Sequence, residues 1–259
     1  MNCEIKYQKG LYSIISYFII FNFLSAFMSL IIAGIIKSSG VNLADTNNAN
    51  TATSLINLVV YLVLFGALLY INHKELLQEV KTFFKNKPNN ILWKIVAGYG
   101  IFYAINLFTN LLVQNATDLT NLANSFFDIF DKDVVTSTAD NQKVIEEILK
   151  GNGFIFMFLS AGIFGPICEE LVFRRAFFNI CKTKEMGILL SSLFFGLIHI
   201  TSSIGQYNLL SMILMTIPYV VSGVAFGLIY IKNDCDIVVP TIIHMLSNII
   251  SMLGIIFLI

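Results

Sequence analysis

Charge is scarce in this sequence. Of 259 residues only 12% are Asp, Glu, Lys or Arg, while 56% are apolar and 13% aromatic; a soluble domain carries about a quarter charged residues. The 16 basic and 16 acidic side chains cancel, so no basic surface recommends a nucleic acid as partner. The four cysteines, Cys3, Cys168, Cys181 and Cys235, show neither a CxxC nor a metal-knuckle spacing, which leaves free thiols. No HExxH is present, which removes a zincin site, and no GxSxG or Ser–His spacing suggests a serine hydrolase. The spans hold no aspartate pair of the aspartyl-protease sort. No soluble domain and no internal repeat stand out.

What is abundant is long apolar sequence, and runs of about 20 residues cross a bilayer as helices. The pattern predicts an all-α, polytopic transmembrane helical bundle of about seven or eight helices. Seven or so spans are expected, at about 11–36, 55–72, 95–113, 151–180, 186–200, 207–231 and 237–258. The first run is too long for a signal-peptide core and lacks a small-residue cleavage site. Lysines cluster between spans two and three (Lys74, Lys81, Lys85, Lys87, Lys94), and Arg174, Arg175, Lys182 and Lys184 follow span four. Segments 37–54 and 114–150 are poor in both basic types. The positive-inside rule therefore places the N-terminus and the turns 181–185 and 232–236 in the cytoplasm of a multi-pass cell-membrane protein. Segment 114–150 is expected outside, either as a plain loop or as an amphipathic helix carrying Leu119, Leu122, Phe126 and Phe130. The chain divides into N-terminal transmembrane helices with this outer loop, 1–150, and a C-terminal core, 151–259.

Against this apolar background, residues 167–175 read ICEELVFRR. Charged side chains at membrane depth are costly and mark function unless they pair. Glu170 and Arg174 are four apart on one helix face, acid before base, a favourable structural pair. Glu169 is turned about 100° from that face, which leaves it as the reactive carboxylate. His199 ends FFGLIH, with Phe195 one turn earlier, and His244 and Asn248 share a face in HMLSN. His73 lies in the basic loop as a solvated side chain. Counted from the cytoplasmic turns at 1.5 Å per residue, Glu169, His199 and His244 all fall roughly 12–20 Å into the membrane. Pro166 is expected to kink its helix just before Glu169, and Gly223 and Gly227 to let span six pack closely.

A carboxylate, two imidazoles and an amide suit hydrolysis. Glu169 with His199 could deprotonate a water, and His244 with Asn248 could donate to the resulting oxyanion. Glu169, His199 and His244 could instead ligate Zn²⁺, so both designs stay open on the residues alone. So do three others: helix–helix glue, a proton-coupled transporter, and a binding or immunity protein without turnover.

EELVFR (169–174), FGLIH (195–199) and HMLSN (244–248) resemble the three motifs of the CAAX-protease and bacteriocin-processing (CPBP, or Abi) family of bacterial and other intramembrane proteases. The resemblance covers about 150–258. It implies an endopeptidase acting on a membrane-associated peptide or protein within the lipid bilayer. Glu169 would be the general base with His199 as partner, His244 and Asn248 the oxyanion hole, Glu170 and Arg174 supports, and Phe195 a wall of the pocket. Family members are often described as metal-dependent; relatives of the CAAX prenyl protease look like glutamate proteases, and the favoured expectation is that no metal cofactor is required.

Overall fold

The computed structural model describes residues 3–39, 45–86, 91–127, 134 and 140–258. Among these residues eight helices follow one another and there is no strand: α1 (3–39), α2 (Thr46–Asn86), α3 (Ile91–Phe127), α4 (Asp140–Leu149), α5 (Phe154–Ile180), α6 (Lys184–His199), α7 (Leu209–Lys232) and α8 (Val238–Leu258). The all-α bundle expected from the apolar runs is therefore the fold. Six of these helices are long and apolar enough to cross a membrane.

The expected seventh span is α6, which has 16 residues and so rises only about 24 Å, short of the roughly 30 Å hydrocarbon core. It stops at His199, and a 3₁₀ turn at Thr201–Ser203 follows. The basic stretch after span two is helix rather than loop: α2 runs 41 residues, about 60 Å, and carries Lys74, Lys81 and Lys85 on its last turns. Lys87 lies outside the described residues. Of the two forms expected for segment 114–150, the described residues are mostly helix rather than plain loop, since α3 continues to Phe127 and α4 occupies Asp140–Leu149. Leu119 and Leu122 sit exposed on the extension of α3; the side chain of Phe126, and Phe130 altogether, lie outside the described residues. Hydropathy finds where a helix enters lipid, and it has no signal for where a polar helix continues beyond it.

Side chains cap the turns that set the C-terminal core. Thr183 accepts from the Met186 amide at 3.2 Å, Asn208 from Ser211 at 2.8 Å, and Asp236 from Val238 at 2.7 Å, each satisfying an orphan helix N–H. Asp234 and Cys235 turn α7 into α8 with φ of 58° and 59°.

Inside a bilayer apolar area gives little net drive between helices, so close approach and polar contacts decide packing. A Cβ on Gly223 would stand 2.8 Å from the Ser192 Cα, which shows how closely α7 crosses α6. Gly10 brings α1 equally near the Ala176 carbonyl of α5. Asn72 of α2 donates to Ser13 of α1 at 3.2 Å, and Lys9 pairs with Glu75 at 2.7 Å. Arg175 at the end of α5 pairs with Glu79 of α2.

Helix α5 holds the ICEELVFRR stretch and is not a regular helix. Two π-turns, Ser160–Phe164 and Glu170–Ala176, flank the short α-helical piece Gly165–Glu169. The distortion that Pro166 was expected to produce as a kink is thus a pair of widened turns, a form frequent at functional sites.

Candidate active site

The π-turn before Glu169 leaves one carbonyl without a helical partner. Gly165 N–H reaches back to Ser160 O, the i−5 pattern. The next donor in that register, for Ala161 O, would be residue 166, and proline has no N–H. Asn248 of α8 supplies the missing donor: its Nδ2 lies 2.8 Å from Ala161 O. An asparagine amide has two hydrogens on that nitrogen, so a second remains for the space beside it.

Glu169 and Glu170 part company as their 100° separation predicts. Glu170 is fully buried, with Oε2 3.0 Å from Arg174 Nε and Oε1 2.9 Å from His244 Nδ1. The Arg174 Nε–Glu170 contact is an ion pair by distance, although its N–H is not aimed at the oxygen. The rest of the Arg174 guanidinium finds no hydrogen-bond partner among the described residues and is clamped between the rings of Phe195, at 5.1 Å, and Phe226, at 5.4 Å. Cation–π attraction of this kind strengthens when water is excluded. Glu169 instead faces a cavity of about 910 Å³. Its Oε1 lies 3.3 Å from the Tyr61 hydroxyl, and its Oε2 3.8 Å from His244 Nε2.

Both imidazoles are fixed in the same way. His199 Nδ1 is 2.7 Å from Phe195 O, and since a carbonyl can only accept, Nδ1 carries the hydrogen and Nε2 is turned outward. His244 Nδ1 likewise donates to Glu170. Each ring stacks on an aromatic of α7: His199 on Tyr219 and His244 on Phe226, both at 4.5 Å between centroids. Phe195 lies under both histidines, 4.5 Å from His199 and 6.0 Å from His244.

Glu169, His199, His244, Asn248 and Phe195 all line the one cavity, while Glu170 and Arg174 lie behind its wall. The sequence pointed to none of the walls that the N-terminal half supplies. Tyr17, Phe21 and Asn22 come from α1, Tyr61 from α2, and Asn106 and Asn110 from α3. Asn106 accepts from Ser222 of α7 at 2.6 Å, which ties that wall to the core. The signal was present in part, because amides within apolar spans are as unusual as the residues that were singled out. The spacing of Tyr219 and Phe226, two turns apart on α7, was a second one.

The set that could ligate zinc does not gather to do so: among the described residues no three His, Cys, Asp or Glu form a metal-binding group. Cys168, Cys181 and Cys235 are free thiols.

Comparison with known proteins bears on the C-terminal part. Residues 151–250 match the family described as type II CAAX prenyl endopeptidase Rce1-like. That stretch holds all three motifs, and the match is what the CPBP resemblance implied. It points to a protease. A protein of Mycoplasma capricolum subsp. capricolum, described only as uncharacterized, is 28% identical over 226 residues, which is 83% of this chain and 60% of that protein. The chain thus spans less than two thirds of that relative's length. No solved structure matches.

Proposed function

We propose that this protein is an intramembrane endopeptidase that hydrolyses peptide bonds of membrane-associated peptides or proteins. The observation that carries the reading is the sorting of side chains: four groups suited to hydrolysis face one cavity, and the ion pair that holds one of them, His244, is sealed behind it. A water between Glu169 and the bare Nε2 of His199 loses a proton to Glu169 as its oxygen attacks the scissile carbonyl. The oxyanion is met by the second Nδ2 hydrogen of Asn248 and by His244, which donates from Nε2 in its doubly protonated form. Glu169 then returns the proton to the leaving amine. Glu170 holds His244 in place through Nδ1, and Arg174 neutralises Glu170.

The reading needs no metal; what supports this is that no three His, Cys, Asp or Glu among the described residues form a metal-binding group. Its partners are a peptide substrate and the bilayer. The basic turns set the N-terminus in the cytoplasm. Purified protein in vesicles, given hydrophobic peptides of about 25 residues, long enough to span, tests it. Wild type cleaves; Glu169→Gln and His199→Ala do not. Cleavage by Glu169→Gln at the wild-type rate would sink Glu169 as the base, and no cleavage by wild type would bring the non-catalytic binding role forward.

A further inference from the structure

We infer that Tyr61 of α2 is a positioning residue for Glu169, so that the active site is complete only with a helix outside the stretch 151–250. This rests on the protease reading for its kinetic consequence and on geometry alone for the contact itself.

The Tyr61 hydroxyl donates to Glu169 Oε1 at 3.3 Å. A carboxylate needs both oxygens placed to act as a base, because rotation about its last bond exchanges them. Here one oxygen is fixed by the phenol, and the other, Oε2, is left towards His244 Nε2 and the cavity. The distance is long for an O–H···O bond, and bonds of this sort tighten when substrate excludes water.

The phenol is seated from three sides. Its ring covers Gly165, where a Cβ would lie 3.4 Å from the Tyr61 Cζ. Phe21 of α1 meets it edge-on, with centroids 5.5 Å apart and planes at 68°. The Tyr61 carbonyl lies 3.8 Å from Cys168 Sγ, on the residue before Glu169. Tyr61 is half-buried in an apolar wall, where a phenol O–H usually finds a partner, and Glu169 is the acceptor. The other titratable groups around the carboxylate are Tyr17 on α1, His199 on α6, His244 on α8, and Cys168, Glu170 and Arg174 on its own helix. Of these and Tyr61, the structure gives only Tyr61 a hydrogen bond to Glu169.

Two measurements test this. The carboxylate stretch of Glu169 is isolated by infrared difference between wild type and Glu169→Gln in vesicles, with no substrate needed. Tyr61→Phe, which removes only the hydroxyl, moves that band. Phe65→Leu, which removes a ring one turn along α2 and away from the cavity, leaves it in place. On a membrane peptide that wild type cleaves, Tyr61→Phe lowers kcat about tenfold or more and leaves KM unchanged, the loss expected for one hydrogen bond to a charged group. A band unmoved by Tyr61→Phe, or moved equally by Phe65→Leu, overturns the inference, as does a normal kcat while Glu169→Gln is inactive. Absence of cleavage by wild type would defeat the protease reading instead, and the band would still report on Tyr61.

Discussion

Asn248 Nδ2 donates to the Ala161 carbonyl at 2.8 Å, and that carbonyl is the one Pro166 leaves without a helical donor. The two residues are parts of one device: a proline opens the helix before Glu169, and an asparagine from α8 closes the resulting gap. Asn248→Ala should therefore cost about 1 kcal/mol by removing the donor of a half-buried carbonyl. Adding Pro166→Ala restores an N–H in the i−5 position and should recover most of the loss in a thermal melt, without recovering cleavage. A double variant no more stable than Asn248→Ala would contradict this.

Arg174 and Glu170 form a fully buried pair, and removing one partner strands the other. Arg174→Met should destabilise by about 3–5 kcal/mol. Adding Glu170→Gln removes the stranded charge, so the double variant should melt above Arg174→Met. Additive losses would mean that Glu170 is not held by Arg174.

Two glycines on α7 should behave differently. At Gly223 a Cβ meets backbone, the Ser192 Cα at 2.8 Å, and Gly223→Ala should cost about 1–3 kcal/mol. At Gly227 the nearest atom is Ile188 Cγ1 at 3.3 Å, a side-chain methylene, with the backbone Cα no nearer than 3.8 Å. There the gain of up to about 1 kcal/mol in helix propensity offsets the crowding. Equal melting temperatures for the two variants would contradict this packing of α6 on α7.

Much of the site's geometry could be read from spacing alone. The four-residue step from Glu170 to Arg174 and the 100° turn to Glu169 describe what the helix does, even across a π-turn. The shared face of His244 and Asn248 is likewise a property of one helix. Contacts between helices left no such trace. Nothing in the local period says that His244 Nδ1 meets Glu170, or that Tyr61, more than a hundred residues before Glu169, faces it. The π-turns were hidden because proline announces a lost hydrogen bond without saying which register absorbs it. The short α6 reads as a full span because its hydropathy is high throughout; its 16 residues fall short of one.

Metal chelation should leave the activity intact. With no three-ligand group among the described residues, 1,10-phenanthroline should change the cleavage rate by less than about twofold, whereas loss of a catalytic metal removes several kcal/mol of transition-state stabilisation. Inhibition that added Zn²⁺ reverses would show a metal at work.

Glu169 is the proposed base of this proposed protease. N-terminal peptide profiling of host membranes, comparing wild type with Glu169→Gln at equal abundance, tests it most directly. The substitution keeps the side chain's size and removes its proton acceptor. New N-termini at or near transmembrane segments should be present with wild type and absent with Glu169→Gln. The same new termini in both, with Glu169→Gln folded and as abundant as wild type, would contradict it.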